Sequence, residues 1–240
     1  YWRPTIRDSV FVAMPFHSEF LHVWEEAIKP AVGRASQSLS VHRVDASTLS
    51  GSVITEILDG IAHSRIVLAD ISIAHQGRWK GQRNGNVMYE VGLAHAVRQP
   101  TEVVLIRSDD EEISFDIAGI RVHRYDRDDM SATCMLLANL LSENLKQIDL
   151  TKGLQIQRAI DALDADALAF IELGKDDEGF HGPAPTTMGE ALLSINKTAA
   201  LARLQSLGIV RYDPSHPSGK PTFLWTDFGR AVVGHLRGAA

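Results

Sequence analysis

A single carboxylate, Glu90, stands among small and apolar residues in the stretch NGNVMYEVGLAHA, Asn84 to Ala96, directly after a Gly-Asn step. The spacing predicts a helix over 86–97, with Val87, Val91 and Ala94 on one side and Asn86 and Glu90, four residues apart, facing another. In the first or second turn of such a helix, unpaired backbone N–H groups and the helix dipole favour negative charge, so the carboxylate is expected to be ionised. An ionised acid beside a ligand pocket can stabilise or capture a developing sugar cation, the work carboxylates do in glycoside cleavage. A helix-start acid can equally be chosen for the dipole alone. Its context favours chemistry: Gly92 and Ala94 let a helix sit close to a sheet or ligand, and the Gly-rich loop 77–85 leads into it.

Other residues could share that site. Asp70 closes the apolar run RIVLADIS and offers a ligand hydroxyl partner or a second carboxylate, although Asp in such a place also serves as a turn or cap residue. Arg43 and Asp45 end the run SLSVHRVD, either beside the ligand or as an internal ion pair. The loop HQGRWKGQRNG, 75–85, holds Arg78, Lys80 and Arg83 around Trp79, a composition for a mobile lid whose cations meet phosphates and whose indole stacks on a base. A merely solvated basic loop is the plainer account. Met14, Pro15, Phe16, Gly51, Ser72, Asn86 and Tyr89 complete the candidate substrate contacts. No His/Cys spacing suggests zinc, no Gly-Lys-Ser/Thr phosphate loop is present, and no G-x-S-x-G elbow supports a serine hydrolase. No metal and no cofactor is expected.

Strands alternating with helices would bring these residues together. SVFVAMPF, Ser9 to Phe16, reads as a buried strand halted by a Pro, and 19–32 as an amphipathic helix built on Phe20, Val23, Trp24, Ala27 and Ile28. A strand in SLSVHRVD follows, then a helix carrying Val53, Ile54, Ile57, Leu58 and Ile61, then the strand RIVLADIS. The helix 86–97 ends at Gln99-Pro100, and TEVVLI (101–106) and IRVHRY (120–125) are further strands around the acidic, solvated SDDEE. Residues 130–148 read as a closing helix. The pattern implies an α/β fold, a doubly wound parallel sheet of five strands with helices on both faces. Ligands in such sheets bind beyond the carboxyl ends of the strands, which gathers 13–16, 43–45, 70–72 and the loop before Asn86 around one crevice.

The texture changes near Asp149, dividing the chain into domains 1–150 and 151–240. Residues 154–173 read as a long helix and KDDEGFHGPAPT as a flexible connection. Helices over 188–195 and 197–207, strands GIVRYD and TFLWT around the turn DPSHPSGK, and a last helix over 227–236 follow.

The totals bound the possibilities. With 45% hydrophobic and 22% charged residues the 240-residue chain has the makings of a core. A net charge of −6 argues against a nucleic-acid footprint over the whole protein. Cys134 is the single cysteine, so no internal disulfide can form and a reducing, cytoplasmic setting is expected. No apolar run approaches the roughly 18 residues of a membrane helix, and no charged-then-apolar leader opens the sequence given, which starts at Tyr1.

FVAMPF, HRVD with Gly51 downstream, IVLADIS, NVMYEVGLAHA and FDIAGIRVHRY follow the order seen in nucleoside 2-deoxyribosyltransferase-like and bacterial TIR-like proteins, which the chain resembles over about 9–148. The resemblance implies a flavodoxin-like fold and cleavage or transfer at the N-glycosidic bond of a nucleotide, a nucleoside or NAD. It assigns the family's essential Glu to Glu90 and its strand-end Asp to Asp70. The family's transferases place a further Asp ahead of the Glu, where this chain has Asn84 or Asn86, which counts against deoxyribosyl exchange. Related members also bind nucleotide signals or act in antiviral defence, so a non-catalytic nucleotide sensor is the alternative. Residues 186–236 resemble winged-helix domains, with TAALARLQSLGIV as second helix and WTDFGRAVVGHL closing. Its predicted reading helix offers only Lys197 and Arg203, and 151–240 carries nine Lys and Arg against ten Asp and Glu, a net of −1. Self-association as a homo-oligomer is therefore expected ahead of nucleic-acid binding through 186–236.

Overall fold

The computed structural model describes residues 6–44, 53–76, 80–112, 120–177, 179–181, 188–214 and 222–238. The chain divides into two compact units, Tyr1–Asp149 and Leu150–Ala240.

The first unit is an α/β fold. Strands β1 (Arg7–Ala13), β2 (Ser40–His42), β3 (Ser64–Asp70), β4 (Val103–Arg107) and β5 (Val122–Arg124) form one sheet in the order β2-β1-β3-β4-β5. Every neighbouring pair is parallel, with Val12 opposite Leu68 and Asp70 opposite Ile106. This is the flavodoxin-like order, whose direction of winding reverses between β1 and β3. The continuous apolar runs of β1 and β3 follow from burial on both faces, because successive side chains point to opposite sides. Val10, Val12, Ile66 and Leu68 pack with Phe20, Trp24 and Ile28 on one side, joined there by Leu137 and Leu141. Phe11, Ala13, Val67 and Ala69 pack on the other against Ile61 of α2 (Val53–His63) and Val87, Val91 and Ala94 of α3 (Gly85–Val97).

The helix predicted over 19–32 is less regular than its periodicity suggests. A 3₁₀ turn, Ser18–Phe20, precedes a six-residue π-helical stretch, Val23–Ile28, and α1 proper runs from Lys29 to Ala35. Pro30 supplies the reason: it has no N–H for an α-type bond and its ring crowds the carbonyl one turn back, so the helix widens just before it. The closing helix α4 runs unbroken from Met130 to Asp161, where the sequence pattern suggested a stop at 148 and a new start at 154. Gly153 is a weak helix former but not a breaker. The real boundary is at Asp164, whose side chain accepts from the Ala167 N–H (2.8 Å) and starts α5 (Ala165–Gly174).

The second unit contains α5, β6 (Gly179–His181), α6 (Met188–Ser206), β7 (Val210–Asp213), β8 (Thr222–Trp225) and α7 (Asp227–Gly238). Its three strands are antiparallel in the order β6-β8-β7. The two-strand pair and closing helix lie where the sequence pattern put them. Two expectations change: α6 is one helix rather than two, and β6 occupies part of the stretch read as a connection. Phe180 of β6 packs into the core with Ile171, Leu204, Ile209, Trp225 and Val232, which anchors that strand. Among the described residues no helix is long and apolar enough to cross a membrane.

Candidate functional site

Beyond the carboxyl end of β1 the first halves of α2 and α3 stand apart and enclose a cavity of about 440 Å³. Phe11 and Val12 come from β1, Met14 and Phe16 from the loop after it, Ile54 and Ile57 from α2, and Asn86, Tyr89 and Glu90 from α3. The floor is held by a close approach: a side chain at Gly60 of α2 would run into the Phe11 ring. That ring also meets His42, at 5.5 Å between centroids. Phe16, 54% exposed, and Tyr89, 57% exposed, form the mouth.

Glu90 is 8% exposed, on the cavity wall. Among the described residues no group donates to its carboxylate or ion-pairs with it, and burial alone raises its pKa from 4.5 to about 7. This corrects the expectation of a permanently ionised acid. Glu90 is the sixth residue of α3, past the first turn where the dipole acts, and Asn84 already occupies that turn: its Oδ1 accepts from the N–H groups of Asn86 (2.9 Å) and Val87 (3.3 Å). Desolvation therefore outweighs the dipole and holds the pKa of the carboxyl well above the usual carboxylate range.

Asp70 ends β3 as the sequence suggested, but it is fully buried and outside the cavity. Its Oδ1 accepts from Ser72 N–H (3.0 Å) and Ser72 Oγ (2.5 Å), and its Oδ2 accepts from the Tyr125 hydroxyl (2.7 Å). Burial raises its pKa against those hydrogen bonds, and the same surroundings raise that of Tyr125. Ser72 Oγ in turn accepts from Ser108 N–H (2.9 Å). With both oxygens engaged, Asp70 ties together the ends of β3, β4 and β5 rather than meeting a sugar hydroxyl.

The predicted contacts separate into groups. Met14, Phe16, Asn86 and Tyr89 line the cavity with Glu90. Pro15 and Ser72 line a second cavity of about 420 Å³, also walled by His17, Gln82 and Arg83, which shares Asn84 and Asn86 with the first. Arg43 lines neither. Its guanidinium lies over the rings of Phe16 (5.2 Å) and Trp24 (4.9 Å), with Nη1 3.7 Å from Met14 Sδ. Of the basic loop, Arg83 is bound to Asp109 (3.0 Å), and Lys80 is exposed and lines neither cavity. Asp45, Gly51, Arg78 and Trp79 lie outside the described residues.

No family model and no curated protein matches the chain. Among solved structures, the metal-soaked Flv1 flavodiiron core from Synechocystis sp. PCC6803 is similar over 60% of this chain and 36% of that one, at 12% identity and a TM-score of 0.42. This chain thus spans about a third of that protein's length. Among the described residues no group of three or more His, Cys, Asp or Glu is placed to hold a metal ion.

Sequence reasoning passed over His17, Glu19 and Gln82. The segment His17-Ser18-Glu19 directly after the strand-ending Pro15-Phe16 was the available signal, since an acid two residues from an imidazole at a strand's carboxyl end can orient it.

Proposed function

We propose that this protein cleaves the N-glycosidic bond of a nucleoside, a nucleotide or NAD, with Glu90 as the acid that protonates the departing base of a nucleoside or nucleotide; nicotinamide leaves NAD as a neutral pyridine and needs no proton. The observation that carries this reading is a buried carboxyl, without a partner among the described residues, in the wall of a nucleoside-sized cavity at the carboxyl end of the sheet. A pKa of about 7 keeps a proton available at neutral pH, the condition under which a carboxylic acid serves as a general acid. Phe11, Phe16 and Tyr89 offer ring faces to a base, and the amides of Asn84 and Asn86 offer hydrogen bonds to base or sugar. Glu90 is the one Asp, Glu, Lys or Arg among the described lining residues of this cavity, which suits an uncharged nucleoside portion and leaves any phosphate outside. The expected contribution of such an acid is on the order of 10² to 10⁴ in rate.

The test is incubation of the full chain with NAD, nucleoside monophosphates, ribonucleosides and deoxynucleosides, with chromatography for free base. Glu90→Gln keeps the shape and loses the proton donor, so base release should fall by about 100-fold or more while the melting temperature is kept. Undiminished release by that variant would end the proposal. A second reading, a nucleotide sensor without turnover, draws support from the pairing of this unit with a separate C-terminal one on the same chain. Thermal stabilisation by a nucleotide that stays intact after long incubation would favour it.

A further inference from the structure

Glu90 provides for the departing group, while the second cavity contains a different pair of side chains. His17 stands in its wall. The Nδ1 atom of His17 is 3.2 Å from Glu19 Oε1 and accepts a long hydrogen bond, 3.4 Å, from the Glu19 backbone N–H. The Glu19 side chain is only 9% exposed. Its Oε2 accepts from His75 N–H (3.0 Å) and from Arg127 Nη1 (3.3 Å), and Arg127 is itself fixed over the Phe20 ring at 4.4 Å and donates to Ile73 O (3.1 Å). Glu19 Oε1, by contrast, is buried without an aligned donor.

A buried carboxylate oxygen with no donor requires an explanation. The nearest available one is the His17 tautomer that carries its hydrogen on Nδ1, which gives up the long bond from the Glu19 N–H and turns by a small ring rotation onto Oε1. That tautomer satisfies the orphaned oxygen and leaves the lone pair of Nε2 for the cavity. A buried, anchored carboxylate behind an imidazole is the arrangement that presents a histidine as a base. Arg83, the one Asp, Glu, Lys or Arg among the described residues of this cavity's wall, is held by Asp109.

We infer that His17, oriented by Glu19, is the general base of the proposed cleavage and activates a water in the second cavity. The inference rests on the glycosidic reading of the Glu90 cavity. The sugar would lie at the wall the two cavities share, Asn84 and Asn86, with the base in the first cavity and the water in the second. Nε2 takes a proton from the water as its oxygen bonds to the anomeric carbon. The carbon–nitrogen bond breaks, its electron pair goes to the base nitrogen, and that nitrogen takes the Glu90 proton. The products are free base and a sugar inverted at the anomeric carbon, and proton exchange with solvent resets both side chains. An acid and a base on opposite sides of the ring, with room for water, is the inverting geometry of glycosidases. Glu19 is a positioning residue in this scheme.

Methanol competing with water in the wild-type reaction fixes the stereochemistry. A β-nucleoside should give the α-methyl glycoside, read by proton NMR; the β product overturns the assignment. His17→Asn keeps a side-chain amide that can donate to Glu19 Oε1 but cannot take the proton, so kcat should fall about 100-fold or more with KM nearly unchanged. Azide, which needs no deprotonation, should restore base release in that variant and yield the glycosyl azide. Wild-type turnover by His17→Asn, or a loss that azide leaves untouched, overturns the role. Glu19→Gln should also lower kcat with KM kept, and azide should rescue it. If His17→Asn does not fold, the configuration of the wild-type product decides alone. Base release with retention removes only His17 and leaves the Glu90 reading standing, whereas no base release from any substrate class overturns both.

Discussion

Glu90 couples the fold to pH. The folded protein holds this proton up to about pH 7, while the unfolded chain releases it near 4.5. Between those values the native state binds more protons, so the stability associated with the neutral carboxyl is fully present below 4.5 and is lost as pH rises to about 7. Urea unfolding at pH 5 and pH 8 should show that decline, and Glu90→Gln should flatten it. If Glu90 is the acid, the cleavage rate should fall as pH rises through the same upper limit. The position of Glu90 was legible in the sequence, because helical spacing put it beside Asn86 and the loop order put it at the sheet's carboxyl end. Its protonation was not legible. The shift comes from burial, and residues such as Phe11, Val44 and Ile57, which wall the same cavity, are distant in the chain and gather there only on folding. Asp70 misled for a similar reason: its strand-end place is visible in RIVLADIS, but the Tyr125 hydroxyl that claims it is 55 residues away.

At the level of elements, long apolar runs with clear punctuation were readable: β1, β3, β4 and α3 lie where the pattern put them, within three residues at each end. β2 and β5 lie inside the runs read as strands, whereas β6, three residues long, is too short to show a period, and pairing with β8 rather than its own composition makes it a strand. The α2–β1 contact makes a test of how the cavity floor is set. Gly60→Ala would push a methyl group into the Phe11 ring, and such overpacking costs about 1–3 kcal/mol. Chemical denaturation should register that loss, and KM for a cleaved nucleoside should rise because the displaced ring enters the space for the ligand. A variant as stable and as active as the parent would show that the floor yields more easily than this packing implies.

Across the first unit, alternation of strand and helix was enough to read the fold class, because parallel strands require crossovers and crossovers cover both faces. The site was legible as a neighbourhood, not as a constellation. What fixes it is a polar framework at the carboxyl edge of the sheet, in which Arg127 joins Glu19, Ser108 and Ile73 O, and Asp70, Ser72 and Tyr125 join the neighbouring strand ends. Arg127→Ala strips the cation from a buried carboxylate and should cost about 3–5 kcal/mol, measured by urea unfolding; a loss under 1 kcal/mol would mean that the loops do not depend on this arginine. Asn84 has a different consequence. Its side chain claims the amide hydrogens of Asn86 and Val87 at the opening of α3, on the wall that the two hollows share, so those donors are already spent. Asn84→Gly should free them, and inorganic phosphate should then compete with substrate more effectively than it does in the parent protein, as inhibition assays on the two would show.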